Sequence, residues 1–94
     1  METSSGKPYR DVGIIRIFSS NVLSEELVWH RDKEDRKITV LEGEGWQFQF
    51  NGELPFELKE NMIFKIPEGM YHRLIKGKTD IVLKIKKCNH LRIF

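Results

Sequence analysis

The 94 residues carry sixteen Lys and Arg against fourteen Asp and Glu, a formal charge of +2. That balance leaves no basic footprint for nucleic acid, and no apolar run reaches the ~20 residues a membrane span needs. A lone cysteine, Cys88, excludes an intrachain disulfide and fits a reducing, cytoplasmic setting.

The N-terminal stretch METSSGKPYRD has no apolar signal segment. It is polar, and residues 1–11 are expected to be flexible ahead of a single domain over 12–94. A domain of this size buries roughly 60–70% of the surface of its unfolded chain, enough for one core. Short apolar runs then follow in order: GIIRIF, ELVWH, KITVLE, WQFQF, FEL, MIFKI, YHRLI and IVLKI. They are rich in Ile, Val, Phe and Leu, as strands are. Turn-forming stretches separate them: SSN, RDKED, GEG, NGELP, KEN, PEG and KGKTD. Only SSNVLSEEL has room for a helical turn. This spacing predicts an all-β sandwich or barrel.

Alternation along a strand assigns faces. Val28, His30 and Asp32 point one way; Leu27, Trp29 and Arg31 point the other. His30 and Asp32 are therefore neighbours on one surface, as a chelating pair must be. Phe64 and Ile66 share a face, as do His72 and Leu74 beyond the Pro67-Glu68-Gly69 turn. If both faces line one core, His72 is carried inward and needs a polar partner there. His30 and Asp32 are the candidates. In WQFQF, Trp46, Phe48 and Phe50 form one face and Gln47 and Gln49 the other. Periodicity alone leaves open which face lines the interior. Glutamines pointing inward would be substrate-binding donors, whereas bulky aromatics more often form core. Lys84 and Lys86 alternate with Leu83 and Ile85, the pattern of one solvated strand face.

Two segments carry a resemblance to the cupin family. Residues 30–43, HRDKEDRKITVLEG, resemble its first segment: two histidines, a glutamate and an apolar strand closing on Gly-Glu-Gly. Residues 61–76, NMIFKIPEGMYHRLIK, reproduce the spacing of its second, with Pro67, Gly69 and His72 at the family's intervals. The resemblance covers about half of the chain. It implies a double-stranded β-helix, the cupin jelly roll, with a metal or ligand site inside one end.

The departures are specific. Asn61 stands where glycine is usual, and Lys76 where asparagine is usual. His30 and His72 occupy the positions of the first and last histidine ligands. Asp32 stands in place of the second histidine, and Arg36 in place of the glutamate. Arginine stays protonated and cannot ligate.

Two chemistries follow. In the first, His30, Asp32 and His72 hold a divalent transition metal: two histidines and one carboxylate suit Fe(II), with Zn, Mn and Ni as alternatives. Arg36 then grips a substrate carboxylate or phosphate. In the second, Arg36 takes the cation's place beside Asp32. The pocket then binds a small sugar-like or carboxylate ligand, or uses a histidine as acid and base. A third class is a non-catalytic interaction module. Whether the protein is an enzyme is not legible here, because one fold hosts many activities.

The expected function is thus a small metal-binding cupin acting on, or sensing, a small anionic metabolite. Glu34 and Asp35 are expected on a solvated turn, and Trp29 on an outer face. Cys88 is expected to be an ordinary thiol and His90 to be exposed. Apolar strands GIIRIF and LRIF leave edges suited to a second copy, so a homodimer is expected.

Overall fold

The apolar runs fold as two antiparallel sheets whose inner faces share one core. The computed structural model describes residues 7–88; LRIF and His90 lie outside the described residues. Strands β1 (Tyr9–Val12) and β2 (Ile15–Phe18) form a hairpin with Val12 opposite Ile15. The two-residue loop between them begins with Gly13 at φ 62°, the conformation that a tight hairpin demands at its first loop position. Tyr9–Asp11, within the segment 1–11 expected to be flexible, pair with β2.

The larger sheet adds β8 (Ile81–Cys88), β3 (Asp35–Glu42) and β6 (Ile63–Ile66), in the order β1-β2-β8-β3-β6. The smaller sheet is β5 (Phe56–Glu57), β4 (Gln47–Phe50) and β7 (His72–Ile75). A 3-10 turn, Ser24–Glu26, falls inside SSNVLSEEL. The run ELVWH does not form a regular strand; it contributes one isolated antiparallel bridge, His30 to His72. No helix among the described residues is long and apolar enough to cross a membrane.

Alternation fixes the inner faces. Ile38 and Val40 on β3, Ile81 and Leu83 on β8, Ile66 on β6 and Phe18 on β2 are buried. Trp46 and Phe48 meet them from the smaller sheet, and Phe48 packs edge-on against Phe64 at 4.9 Å between ring centroids. The aromatic face of WQFQF is thus the core face. Val82, Lys84 and Lys86 lie on the opposite face of β8, with both lysines exposed. Burying an indole requires a partner for its N–H; Trp46 Nε1 donates to the Thr79 carbonyl at 2.5 Å.

Gly77 passes directly over Trp46. A Cβ on Gly77 would overlap the Trp46 backbone nitrogen, its ring and the Glu44 carbonyl. Gly77→Ala is therefore expected to destabilise the domain by about 1–3 kcal/mol, the usual cost of overpacking. Chemical denaturation is the check: an unchanged midpoint would mean that the β7–β8 turn moves freely away from Trp46.

Candidate metal and ligand site

The site is built where the chain before β3 returns to β7. His30 N donates to His72 O at 3.0 Å, and His72 N donates to His30 O at 2.9 Å. Residues exchanging both bonds across an antiparallel pair present their side chains on the same face. The two imidazoles consequently meet, with Nε2 atoms 3.1 Å apart. Two residues on, the Asp32 carbonyl accepts from Gly69 N at 2.9 Å. Gly69 adopts φ 78°, which makes glycine the fitting residue in this turn. Glu68 N also donates to Asp35 Oδ1 at 2.7 Å. The PEG turn is thereby braced against the segment that carries Asp32.

Both rings are oriented by backbone. His72 Nδ1–H donates to the Met70 carbonyl at 2.8 Å, and His30 Nδ1–H donates to the Val28 carbonyl at 3.2 Å. With Nδ1 donating, Nε2 of a neutral ring is a lone pair. When both rings are neutral, these two lone pairs face each other at hydrogen-bond distance, an arrangement that accepts a proton or a cation between them. Asp32 Oδ2 adds a third acceptor, 3.4 Å from His72 Nε2. It is buried and receives no hydrogen bond. An unsatisfied buried acceptor is costly, and here three acceptors converge, all within 4.8 Å of one another.

Burial pushes the His72 pKa below its ordinary value of 6.5, and the Met70 carbonyl only partly offsets this. The buried ring, stacked on Phe48 with centroids 5.3 Å apart, is thus held in its neutral, ligating form. His30 stands at the exposed side, Asp32 and His72 at the buried side.

Arg36 faces inward on β3, its side chain only 14% exposed. Its Nη1 lies 3.4 Å from Asp32 Oδ1, and its Nε donates to Glu34 Oε2 at 2.8 Å. Glu34 is not a free charge on a solvated turn as expected; it is half-buried and orients the arginine. Asp35 is likewise engaged, by Glu68 N and by Lys65 Nζ at 3.6 Å. A cavity of about 330 Å3 opens beside the cluster, reached by His30, Asp32 and Arg36. A smaller void of about 40 Å3 lies on the interior side, bordered by His72.

The expected substrate-binding roles of Gln47 and Gln49 do not fit this placement. Phe48 takes the core face of β4, so alternation puts both glutamines on the outer face. Gln49 is occupied there, donating to Glu53 O at 2.9 Å and accepting from Arg73 Nε at 2.9 Å. Trp29 is on the outer surface as expected, with the Arg73 guanidinium 4.7 Å from its ring centroid. Cys88 ends β8 as a half-buried thiol. Among the cavity residues that the sequence did not single out are Lys7, Tyr9, Phe18, Glu26 and Arg16, the last inward on β2, and Leu27 reaches the cavity although alternation set it opposite His30.

No protein-family model and no curated protein matches the chain. Among solved structures, the crystal structure of protein NMB1881 from Neisseria meningitidis is similar, with a TM-score of 0.56 at 14% identity. The match covers 86% of this chain and 80% of that one. At that identity the likeness speaks to the fold alone.

The depressed His72 pKa has a consequence for the metal-free protein. The unfolded chain takes up the proton near pH 6.5, the folded chain only lower. Stability from the neutral ring is complete above that value and is lost as pH falls through it toward the folded pKa. The melting temperature of chelator-treated protein should decline between about pH 7.5 and 5.5, and His72→Gln should flatten the decline. Equal slopes for the two proteins would show that this ring is not the titrating group.

Proposed function

We propose that the protein is a small cupin-type jelly roll that binds one divalent transition metal through His30, Asp32 and His72. Beside that metal it holds a small anionic metabolite. The observation carrying this reading is the convergence of His72 Nε2 and Asp32 Oδ2 at the buried side with His30 Nε2 at the exposed side, all within 4.8 Å of one another. Ligand atoms at about 2.0–2.2 Å from one ion stand roughly 3.0–3.5 Å apart. The 3.1 and 3.4 Å separations to His72 Nε2 fall in that range. The donor set of two imidazoles and a carboxylate suits Fe(II), with Zn, Mn and Ni as alternatives. Such an ion would supply Lewis acidity or a redox centre next to the bound ligand. The protein's own contribution is orientation: Met70 and Val28 carbonyls fix the rings, and Glu34 fixes Arg36.

A second reading rests on one contact. Arg36 Nη1 is 3.4 Å from Asp32 Oδ1, so the guanidinium itself can neutralise the carboxylate in a metal-free pocket for a sugar-like or carboxylate ligand. One experiment separates the two. Untagged protein is expected to take up one metal per chain at micromolar concentration. His72→Ala should weaken uptake by more than the ~10–100-fold that loss of an outer partner costs. Arg36→Glu, which adds a carboxylate beside the cluster, should tighten it. A wild type that binds no metal while Arg36→Glu does would favour the metal-free reading.

The edges support a homodimer as part of this proposal. Val12 and Ile14 at the β1–β2 hairpin are 56% and 54% exposed, and Ile63 on the opposite edge strand is 58% exposed. Uncovered apolar edges favour pairing with another copy. Sedimentation at tens of micromolar is expected to read twice the chain mass; a monomer mass would exclude this assembly.

A further inference from the structure

We infer that the cavity beside His30 selects a monocarboxylate with an apolar body, and that Arg16 together with Arg36 receives its carboxylate. This deepens, and rests on, the metal reading above.

Arg16 and Asp11 are cross-strand partners in the β1–β2 hairpin. Asp11 accepts from Arg16 Nε at 2.8 Å and from Nη2 at 3.1 Å. These bonds hold the Asp11 carboxyl below its usual range. The guanidinium also stacks on Tyr9, 3.6 Å from the ring centroid. The Arg16 side chain is only 17% exposed. A guanidinium has five N–H donors, and Asp11 takes two of Arg16's. The rest have no protein acceptor among the described residues. Arg36 is similarly half-used, by Glu34 and Asp32. Both arginines border the large cavity and the inner void, and His30 and Asp32 border both as well. Two oriented forks with spare donors next to the His30–Asp32–His72 cluster form an anion site.

Charge accounting sets the valence. Asp11 matches Arg16, Glu34 matches Arg36, and Glu26 and Lys7 at the cavity wall have opposite signs. Asp32 offsets one of the two charges of a bound divalent metal. One positive charge is left over. A monoanion balances it, whereas a phosphate dianion overshoots. The remaining wall is apolar: Tyr9, Phe18, Leu27, Val28 and Leu74. Its volume of about 330 Å3 is at the small end of the ~300–1,000 Å3 typical of ligand sites. An aryl or short alkyl acid matches that wall, whereas a sugar would leave hydroxyls unpaired against it.

The test is calorimetric titration of untagged, zinc-loaded protein with phenylacetate, phenylacetamide and inorganic phosphate. Phenylacetate is expected to bind at least about tenfold more tightly than either of the others. Arg16→Gln should lower phenylacetate affinity about tenfold while leaving zinc affinity within about twofold. Phenylacetamide binding as well as phenylacetate would overturn the carboxylate, and phosphate binding as well would overturn the monoanion. Unaltered phenylacetate affinity in a folded Arg16→Gln protein would overturn the role of Arg16. Should that variant fail to fold, Arg16→Lys replaces it: this keeps the charge but not the fork, and a loss of affinity is again expected. Zinc uptake without a carboxylate preference removes this inference alone. Failure to take up zinc removes the metal reading and this inference with it.

Discussion

Two backbone hydrogen bonds between His30 and His72 are the constraint on which the site depends. They are not part of a regular strand pair; they form one isolated bridge. Each histidine then donates its Nδ1–H to the carbonyl two residues before it, Val28 for His30 and Met70 for His72. The arrangement is nearly symmetrical about the bridge, and it turns both Nε2 lone pairs inward. A slip of one residue would send one ring to the outer surface, where Trp29 and Tyr71 now stand. The Asp32–Gly69 hydrogen bond and the Asp35–Glu68 contact restrain the same register from the other side.

That register was only partly legible in the sequence. KITVLE, MIFKI and IVLKI read correctly because alternation and a buried face coincide in them: Ile38 with Val40, Phe64 with Ile66, Ile81 with Leu83. Alternation also put His30 and Asp32 on one side, and both border the cavity although their segment is not a regular strand. ELVWH misled, because apolar composition does not supply a ladder partner, and the segment finds one only at His30. WQFQF was ambiguous until three-dimensional packing resolved it, since either face can be written as core; a shared interior with Phe56 and Phe64 favours the rings.

Arg16 and Glu34 were hidden for a different reason. An inward arginine on a short strand has the same alternation as an outward one on the opposite register. The signal that was present was the hairpin: Gly13 at the turn places Asp11 opposite Arg16, and an ion pair across it was open to inference. Glu34 carried no such signal. It sits two residues before Arg36 in a run of mixed charges, RDKEDR, where nothing in the pattern marks one carboxylate as the arginine's partner.

Arg36 raises the strongest objection to a cation at this site, since a guanidinium and a dication repel. The geometry answers it in two ways. The Asp32 carboxylate divides its oxygens, with Oδ1 toward Arg36 Nη1 and Oδ2 toward His72 Nε2. A ligand at Oδ2 therefore does not have to displace the arginine from Oδ1. Glu34 meanwhile lies 2.8 Å from Arg36 Nε, and a partner at that distance offsets most of the guanidinium's charge as felt nearby. The repulsion that remains is the one a bound anion would relieve. Removing Arg36's partner would leave a poorly compensated inward charge, which is the more costly state. With Arg36 held by Glu34 and by Asp32 Oδ1, Asp32 Oδ2 and the two Nε2 atoms remain the groups at this cluster able to face a cation.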